Sequence, residues 1–560
     1  MSNTYQDALN SFKAENYKKA SKQLLKLRKR TLDENVLLQS CAFKLEQFNK
    51  VIELGKQLIP QIADKKAKAN MLYHMGVASF KLNRVNDGER FFVESLQNDE
   101  GIDNAKSRYE LCVAYYQLEK YEKLELMSEK LLAWEKYFAK AQLLRIEKSA
   151  KVDSKKILLD RVTKILPYAN KLHSTEFADL GTYLLGLGML DEFESALSSY
   201  ELANKEQRWF ERAKVLFEKG KYAETLDAIE FAQNHPEKKV QPFSAMFYLK
   251  GKVLDKLSRY DEAFDNFQAG AEIVSKRKEA SNKSVYADKL LKLYPKMEFK
   301  TPTLRALDKK IVFVAGFPRS GTTLLDNILD TQDALVLSER NIFYKLIKYI
   351  ESTGLKYPQD LTRISIEQIV EYQEKFFEFI DEQGYRSEEH HTIIEKGPHL
   401  TEHIPLIKQI FPDSKIIVCL RHPLDVAISC FQQEFVLNNY NSHLVRFDDI
   451  VRRYNKVFSL LEMYTEQKHH DVFCFRYEDL IENFSKEMES IFSYLQIDFD
   501  DTYKAFDKKS KDKFITSASR GQVDKKLNKD SMYKWKNYEK KIAPYKSELA
   551  YFCEKFDYKQ

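Results

Sequence analysis

An α-helical repeat array followed by an α/β domain with a parallel sheet is the fold class that this 560-residue sequence predicts, and three observations predict it. Glycine and proline, the two strongest helix breakers, number only 16 and 13, less than half their usual frequencies of about 7% and 5%. Through the first 300 residues a small residue is repeatedly followed nine positions later by an aromatic. Beyond that point short, nearly continuous β-branched and apolar runs alternate with helical segments, as strands buried on both faces of a sheet do. A chain several times longer than a domain of about 150 residues calls for at least two domains.

The repeat comes first in the chain. Ala8/Tyr17/Ala20, Ala213/Tyr222 and Gly251/Tyr260/Ala263 carry the spacing; Cys112/Tyr121 keeps its first two members and Phe193/Ala196 its last two. Tyr17, Phe48, Tyr121, Phe193, Tyr222 and Tyr260 are 31, 73, 72, 29 and 38 residues apart, consistent with units near 34 if each long step spans a degenerate copy. The pattern resembles the tetratricopeptide repeat, a helix pair with small residues where the helices touch and aromatics at the turn. The expected repeat domain is 1–300.

The boundary is expected in residues 294–310, where Pro295 and Pro302 fall and the helical periodicity ends. Four runs then read as strands: Ile311 to Gly316, Thr392 to Glu395, Lys415 to Leu420 and Asp471 to Phe475. Strands separated by helices predict a parallel α/β sheet over the second domain, 308–560.

Charge and cysteine usage narrow the setting. Ninety basic against 84 acidic residues leave +6, too little for its size to suggest a nucleic-acid coat. Residues 504–546 hold 14 basic and 5 acidic side chains; such a run suits a solvated surface or a lid over an anion. The six cysteines contain no C-x-x-C pair and read as buried thiols. No apolar leader stands at the N-terminus and no run reaches about 18 apolar residues, so a cytoplasmic protein without a membrane span is expected.

Two segments carry the chemistry. In Ile311-Val-Phe-Val-Ala-Gly316-Phe-Pro318-Arg319-Ser320-Gly321-Thr322-Thr323 a strand runs through G-x-x-x-x-G into a helix, an architecture that gathers backbone N–H groups around an anion at a positive helix end. A nucleoside-triphosphate loop needs Lys-Ser/Thr after the second glycine. Thr322-Thr323 stands there, which disfavours an ATPase or GTPase, while Arg319 puts a positive charge inside the loop. In the second segment a strand ends at Arg421, and a helix opened by Pro423 carries Asp425 and Ser429, so Arg421 and Ser429 can meet at one anion.

Pro318-Arg-Ser-Gly-Thr-Thr323 and Arg421-x-Pro423-x-Asp425-x-x-x-Ser429 resemble the 5'-phosphosulfate and 3'-phosphate motifs of the sulfotransferases that use 3'-phosphoadenosine 5'-phosphosulfate (PAPS). The likeness is to bacterial members with a tetratricopeptide array ahead of the transferase, similar in motifs to tyrosylprotein sulfotransferases. It spans about residues 308–546 and includes Arg476-Tyr477-Glu-Asp-Leu480, Lys396-Gly-Pro398, Ser519-Arg-Gly-Gln522 and Lys534-Trp535.

The resemblance implies a P-loop-like sulfotransferase domain that moves the sulfuryl group from PAPS to an acceptor hydroxyl of a protein tyrosine, a glycan or a small molecule. By it, Glu339 is the catalytic base, and Arg319 and Lys396 stabilise the developing charge. Arg319, Ser320, Gly321, Thr322, Thr323, Arg421, Ser429, Tyr477, Ser519 and Lys534 bind the nucleotide. No metal is required, since cations and N–H groups can neutralise the leaving group. The expected partners are a hydroxyl-bearing acceptor, with a protein or peptide on the repeats, and no nucleic acid.

Two departures bear on the acceptor: glycine follows Lys396 where tyrosylprotein enzymes carry Asp, and Gln433 stands where they carry an arginine. His399-Leu-Thr-Glu402-His403 matches the H-x-x-E-H zinc pattern, but Pro398 and Pro405 leave barely one helical turn for it, and a face packed near the sheet is expected instead. A repeat-based interaction scaffold with a nucleotide-sensing, non-catalytic C-terminal domain is the alternative function.

Overall fold

One turn recurs between the paired helices that fill the chain ahead of the sheet. The structure, a computed structural model, describes residues 3–99, 101, 104–234, 243–276, 286–299, 304–330, 334–338, 340–438, 440–466, 470–497 and 529–559. They divide into two compact units, Met1–Tyr183 with Glu382–Gly384, and Leu184–Asp381 with Tyr385–Gln560.

In the first unit Asn3–Lys13 is followed by Tyr17–Leu25, Leu32–Lys44 by Phe48–Leu58, Lys65–Lys81 by Val85–Asn98, and Ala105–Gln117 by Tyr121–Leu132. Each pair is joined through one left-handed residue, Glu15, Glu46, Asn83 or Glu119, at φ 56–59°. The next amide donates to the carbonyl five residues back: Asn16 to Ser11, Gln47 to Ala42, Arg84 to Ser79 and Lys120 to Tyr115, at 2.8–2.9 Å. This is the Schellman turn, which satisfies carbonyls left over at a helix end. In the second unit Gly188, Gly220 and Ser258 make the same turn.

The second helix opens two residues after each turn residue, at Tyr17, Phe48, Val85, Tyr121, Leu190, Tyr222 and Tyr260. Val85 opens the helix at this position between those of Phe48 and Tyr121, and Leu190, not Phe193, holds the turn position of its pair. The turn aromatics pack back on the preceding helix, Tyr17 on Phe12 at 5.2 Å and Tyr222 on Phe217 at 5.7 Å. Small residues let rings lie on the helix surface: a Cβ on Gly76 would meet Phe92 at 2.5 Å, and one on Gly251 would meet Phe267 at 2.5 Å.

Glutamate is a poor occupant of a left-handed position, because its Cβ crowds the following carbonyl. Glu46 is exposed and lies at φ 56°. Glu46→Gly should therefore stabilise the first unit by about 0.5–1 kcal/mol, seen as a higher urea midpoint with an unchanged slope.

The second unit holds a five-stranded, wholly parallel sheet in the order β2-β3-β1-β4-β5, formed by β1 Lys310–Ala315, β2 Ala334–Val336, β3 Thr392–Lys396, β4 Lys415–Leu420 and β5 Phe473–Arg476. Four of the five are the runs expected from sequence. β2 is three residues long at a sheet edge, too short for periodicity to reveal. β1 pairs with β3 from Lys310↔Thr392 to Val314↔Lys396, and with β4 from Val312↔Lys415 to Ala315↔Val418.

Both faces of the sheet are buried. Ile311, Phe313, Ala315, Ile393, Ile416 and Val418 face one core, which takes in helices 342–352, 366–382, 423–431 and 447–466 together with helix 260–276 ahead of the sheet. Val312, Val314, Ile394, Ile417, Cys419 and Phe475 face the other, with helices 322–329 and 484–495. Five of the six thiols are buried as expected; Cys474, on edge strand β5, is exposed. Among the described residues no helix is long and apolar enough to cross a membrane.

Candidate active site

The sheet order places β1 and β4 side by side, with β1 connecting forward to one side of the sheet and β4 lying on the other. Ligands of open α/β sheets bind at the carboxyl ends of strands at such a reversal, and Gly316, Lys396, Arg421 and Tyr477 all follow or close strand ends there.

The loop after β1 is built by its own side chains. Ser320 N donates to the Phe317 carbonyl at 3.0 Å, and Phe317 N donates to Ser320 Oγ at 3.3 Å. Gly316 N donates to Thr401 Oγ1 at 2.9 Å, while the same hydroxyl donates to the Gly316 carbonyl at 2.7 Å. A Cβ on Gly316 would lie 2.6 Å from Ser320 Oγ and 2.9 Å from the Cys419 carbonyl, so only glycine fits. Gly321, at φ 105°, caps the helix Thr322–Leu329, and a Cβ there would strike the Tyr477 ring at 2.5 Å. The first N–H groups of that helix have no intrahelical partner, and its dipole favours negative charge.

Cations surround this helix end. Lys396 closes β3, is almost fully buried, and donates to Thr323 Oγ1 at 3.4 Å. Arg421 follows β4; it donates to the Arg319 carbonyl at 2.9 Å and to the Ser531 carbonyl at 2.5 Å, and its guanidinium lies 5.1 Å from the Tyr477 ring centre. Arg319 Nε donates to Ser429 Oγ at 3.1 Å. Arg319, Ser320, Gly321, Thr322, Thr323, Lys396, Arg421, Ser429 and Tyr477 thus come together as one site.

Lys534 opens the short helix Lys534–Tyr538. Asp425, on the helix after β4, holds that segment by accepting from Tyr533 N at 2.6 Å and Trp535 N at 2.9 Å. Burial raises the Asp425 carboxyl, opposed by Arg421, by those two amides and by Lys534. The expected base Glu339 and the expected closing residue Ser519 lie outside the described residues, as does most of the basic run 504–546.

Several contributors were not singled out from sequence. Thr401 clamps the loop glycine from within the stretch weighed only as a zinc pattern. Glu478 accepts from His422 N at 3.0 Å and from the Tyr558 hydroxyl at 2.9 Å, fixing the start of the Arg421 turn. In the zinc-like stretch Glu402 pairs with buried Arg453, and His403 sits between the Tyr357 and Tyr440 hydroxyls at 2.9 and 3.0 Å. Among the described residues no three His, Cys, Asp or Glu side chains gather to hold a metal.

Glu395 neighbours Lys396 and is buried; its carboxylate accepts from Phe343 N at 2.8 Å, anchoring the helix Ile342–Ser352 that follows the Glu339 segment. Burial pushes its carboxyl up to about 8, against the pull of the Phe343 and Ile342 amides. Between the unfolded value near 4.5 and about 8 the folded chain holds a proton that the unfolded chain releases, so stability falls as pH rises through this window. Glu395→Gln should abolish that fall: its melting temperature should exceed the parent's at pH 8 and converge with it near pH 5.

Residues 312–501 match the family model described as Sulfotransferase family. The C-terminal region carries a sulfotransferase-family domain. Within it lie the loop after β1, Lys396, Arg421, Ser429 and Tyr477; Lys534 lies beyond the match. An uncharacterized protein of Aquifex aeolicus (strain VF5) is 26% identical over 335 residues, covering 57% of this chain and 43% of that protein, so the chain spans less than half the length of that relative. Among solved structures, the sulfotransferase domain of the Synechococcus PCC 7002 olefin synthase aligns at 17% identity and a TM-score of 0.31, over 43% of this chain and 91% of that one. Sulfotransferase STF9 from Mycobacterium avium aligns at 14% and 0.29, over 60% and 96%.

Proposed function

We propose that the chain is a PAPS-dependent sulfotransferase. The observation that supports it best is the convergence of Arg319, Lys396, Arg421 and Ser429 on the glycine-capped N-terminus of helix 322–329, with Thr322 in the place of a triphosphate-binding lysine. Several cations and a helix end suit a ligand with separated anionic groups. The residues fit the donor: Gly316 and Gly321 let the loop pack tightly against the Cys419 carbonyl and the Tyr477 ring at the start of helix 322–329.

In this reading the 5'-phosphosulfate lies on the loop Ser320–Thr323, and the 3'-phosphate lies between Arg421 and Ser429. The acceptor oxygen attacks sulfur in line. Its bond to sulfur forms as the bond from sulfur to the bridging oxygen of the 5'-phosphate breaks, and Glu339 takes the hydroxyl proton. Arg319 and Lys396 stabilise the charge that moves onto the leaving adenosine 3',5'-bisphosphate, while Lys534 and Ser519 close over the nucleotide.

The acceptor hydroxyl belongs to a protein tyrosine, a glycan or a small molecule. The helix pairs form a tetratricopeptide-like domain over 1–300 that holds a protein or peptide partner, ahead of a transferase domain over 308–560 in a cytoplasmic protein. Incubating the chain with sulfur-labelled PAPS and a lysate of its source cells tests the reading. Label should enter a discrete product whose mass rises by one sulfuryl group; a lysate left unlabelled contradicts transferase activity and favours the scaffold.

A further inference from the structure

Residues 556–559, beyond the sulfotransferase-family match, return to the Arg421 turn. Helix Glu539–Lys555 ends in the same left-handed turn as the helix pairs: Asp557 lies at φ 57°, and Tyr558 N donates to the Cys553 carbonyl at 2.7 Å. That turn lays 556–559 against residues that close or follow β4 and β5. Arg476, the last residue of β5, is paired with Asp479 through Nε and Nη2 and gives its remaining nitrogen, Nη1, to the Asp557 carbonyl at 2.6 Å. The Tyr558 hydroxyl donates to Glu478 at 2.9 Å, and the other oxygen of Glu478 accepts from His422 N at 3.0 Å.

These bonds converge on His422, which is fully buried. Its Nδ1 accepts from Leu424 N at 3.3 Å, capping the helix Pro423–Phe431 that carries Ser429. A neutral imidazole that accepts at Nδ1 carries its proton on Nε2, and Nε2 lies 3.1 Å from the Lys559 carbonyl. Burial disfavours the charged ring first, and Arg421 and Lys536 add to that against the Lys559 carbonyl and Glu478. The ring is stacked on Trp535 at 5.3 Å and flanked by Tyr558 at 5.2 Å. Trp535 N is held by Asp425, and Ser531, just ahead of it, accepts from Arg421. A helix cap alone needs only an acceptor, which a short polar side chain supplies. What the imidazole adds is the second nitrogen, which ties this turn to the segment 556–559.

We propose that His422 is a positioning residue: through its Nε2 bond to the Lys559 carbonyl, the segment 556–559 clamps the Arg421 turn in the conformation that binds the nucleotide. His422 acts through Arg421, whose backbone it follows and whose neighbours Ser531 and Trp535 pack around its ring. The proposal rests on the donor assignment above and adds to it a segment that the family match does not contain.

Two substitutions separate the ring nitrogens. His422→Asn keeps an acceptor near the Nδ1 position, and so the helix cap, but cannot reach Lys559; His422→Gln places an amide near the Nε2 position and loses the cap. In calorimetry of the full chain, His422→Asn should weaken adenosine 3',5'-bisphosphate about fivefold. His422→Gln should recover most of that loss, although it lowers the melting temperature more. Hydrogen exchange of the ligand-free chain gives a second reading: His422→Asn and Tyr558→Phe should both speed exchange in peptides covering 421–426 and 533–538, with the first unit unchanged. A residue that only caps its helix gives the reverse order, Asn binding like the parent and Gln impaired, and equal losses in both make ring packing the cause. Either result overturns the proposal, as does unchanged exchange. A parent chain that ignores the bisphosphate refutes the donor assignment itself, and the positioning role falls with it even where exchange responds.

Discussion

Lys396→Ala should lower turnover by about 10²–10³-fold while weakening adenosine 3',5'-bisphosphate by less than about tenfold. Lys396 is set by the sheet rather than by a loop: its backbone pairs with Val314 across β3 and β1, and its Nζ reaches Thr323 Oγ1 at the first turn of helix 322–329. A cation fixed in a water-poor cleft acts most strongly on charge that appears only as the donor's bond breaks, and it needs no reorganisation at that moment. In the proposed binding mode the product's charge is spread over two phosphates shared with Arg421, Ser429 and the loop, so its affinity should depend less on this one amine. Single-turnover rates set beside calorimetry separate the two effects. Equal losses in rate and affinity would make Lys396 a binding residue only.

Glu339→Gln is expected to leave bisphosphate affinity within about twofold and to cut turnover at least about 100-fold. Glu339 lies outside the described residues. Leu337 N donates to the Ile394 carbonyl at 2.8 Å, Ser338 Oγ to Asp326 at 2.6 Å, and Arg340 Nε to the Tyr385 hydroxyl at 3.0 Å. Leu337 thus bonds to β3 at Ile394, two residues before Lys396, and Glu395 anchors the helix 342–352. Glutamine keeps the shape and the hydrogen-bonding reach of glutamate but cannot take a proton. A glutamine variant that turns over at the parental rate removes Glu339 from the mechanism.

Much of this was legible in the sequence because glycine and proline are so sparse. Gly316, Gly321 and Pro423 mark the two turns on which the candidate site is built: the two glycines have steric reasons, and Pro423 opens the helix 423–431. The strands β1, β3 and β4 read clearly because both of their faces are buried. β2 did not, since three residues at an edge leave no periodicity.

The inter-helix turns were legible only in part. Their aromatics carried a spacing, but the left-handed residues at the turn are Glu, Asn and Ser as well as Gly, and no residue type announces them. The roles of Thr401 and Glu478 were out of reach for another reason. They act through contacts with residues 85 and 56 positions away in sequence, and nothing local assigns such a role to a threonine or a glutamate.

The central claim is that the site is made for a nucleotide with anions at both 3' and 5' positions and not for a triphosphate. Calorimetric titration of the full chain with adenosine 3',5'-bisphosphate, with ATP and magnesium as the comparator, tests it most directly. Saturable binding of the bisphosphate at least about 100-fold tighter than ATP, a difference of about 2.7 kcal/mol, is the predicted result. Tight ATP binding with indifference to the bisphosphate would contradict it.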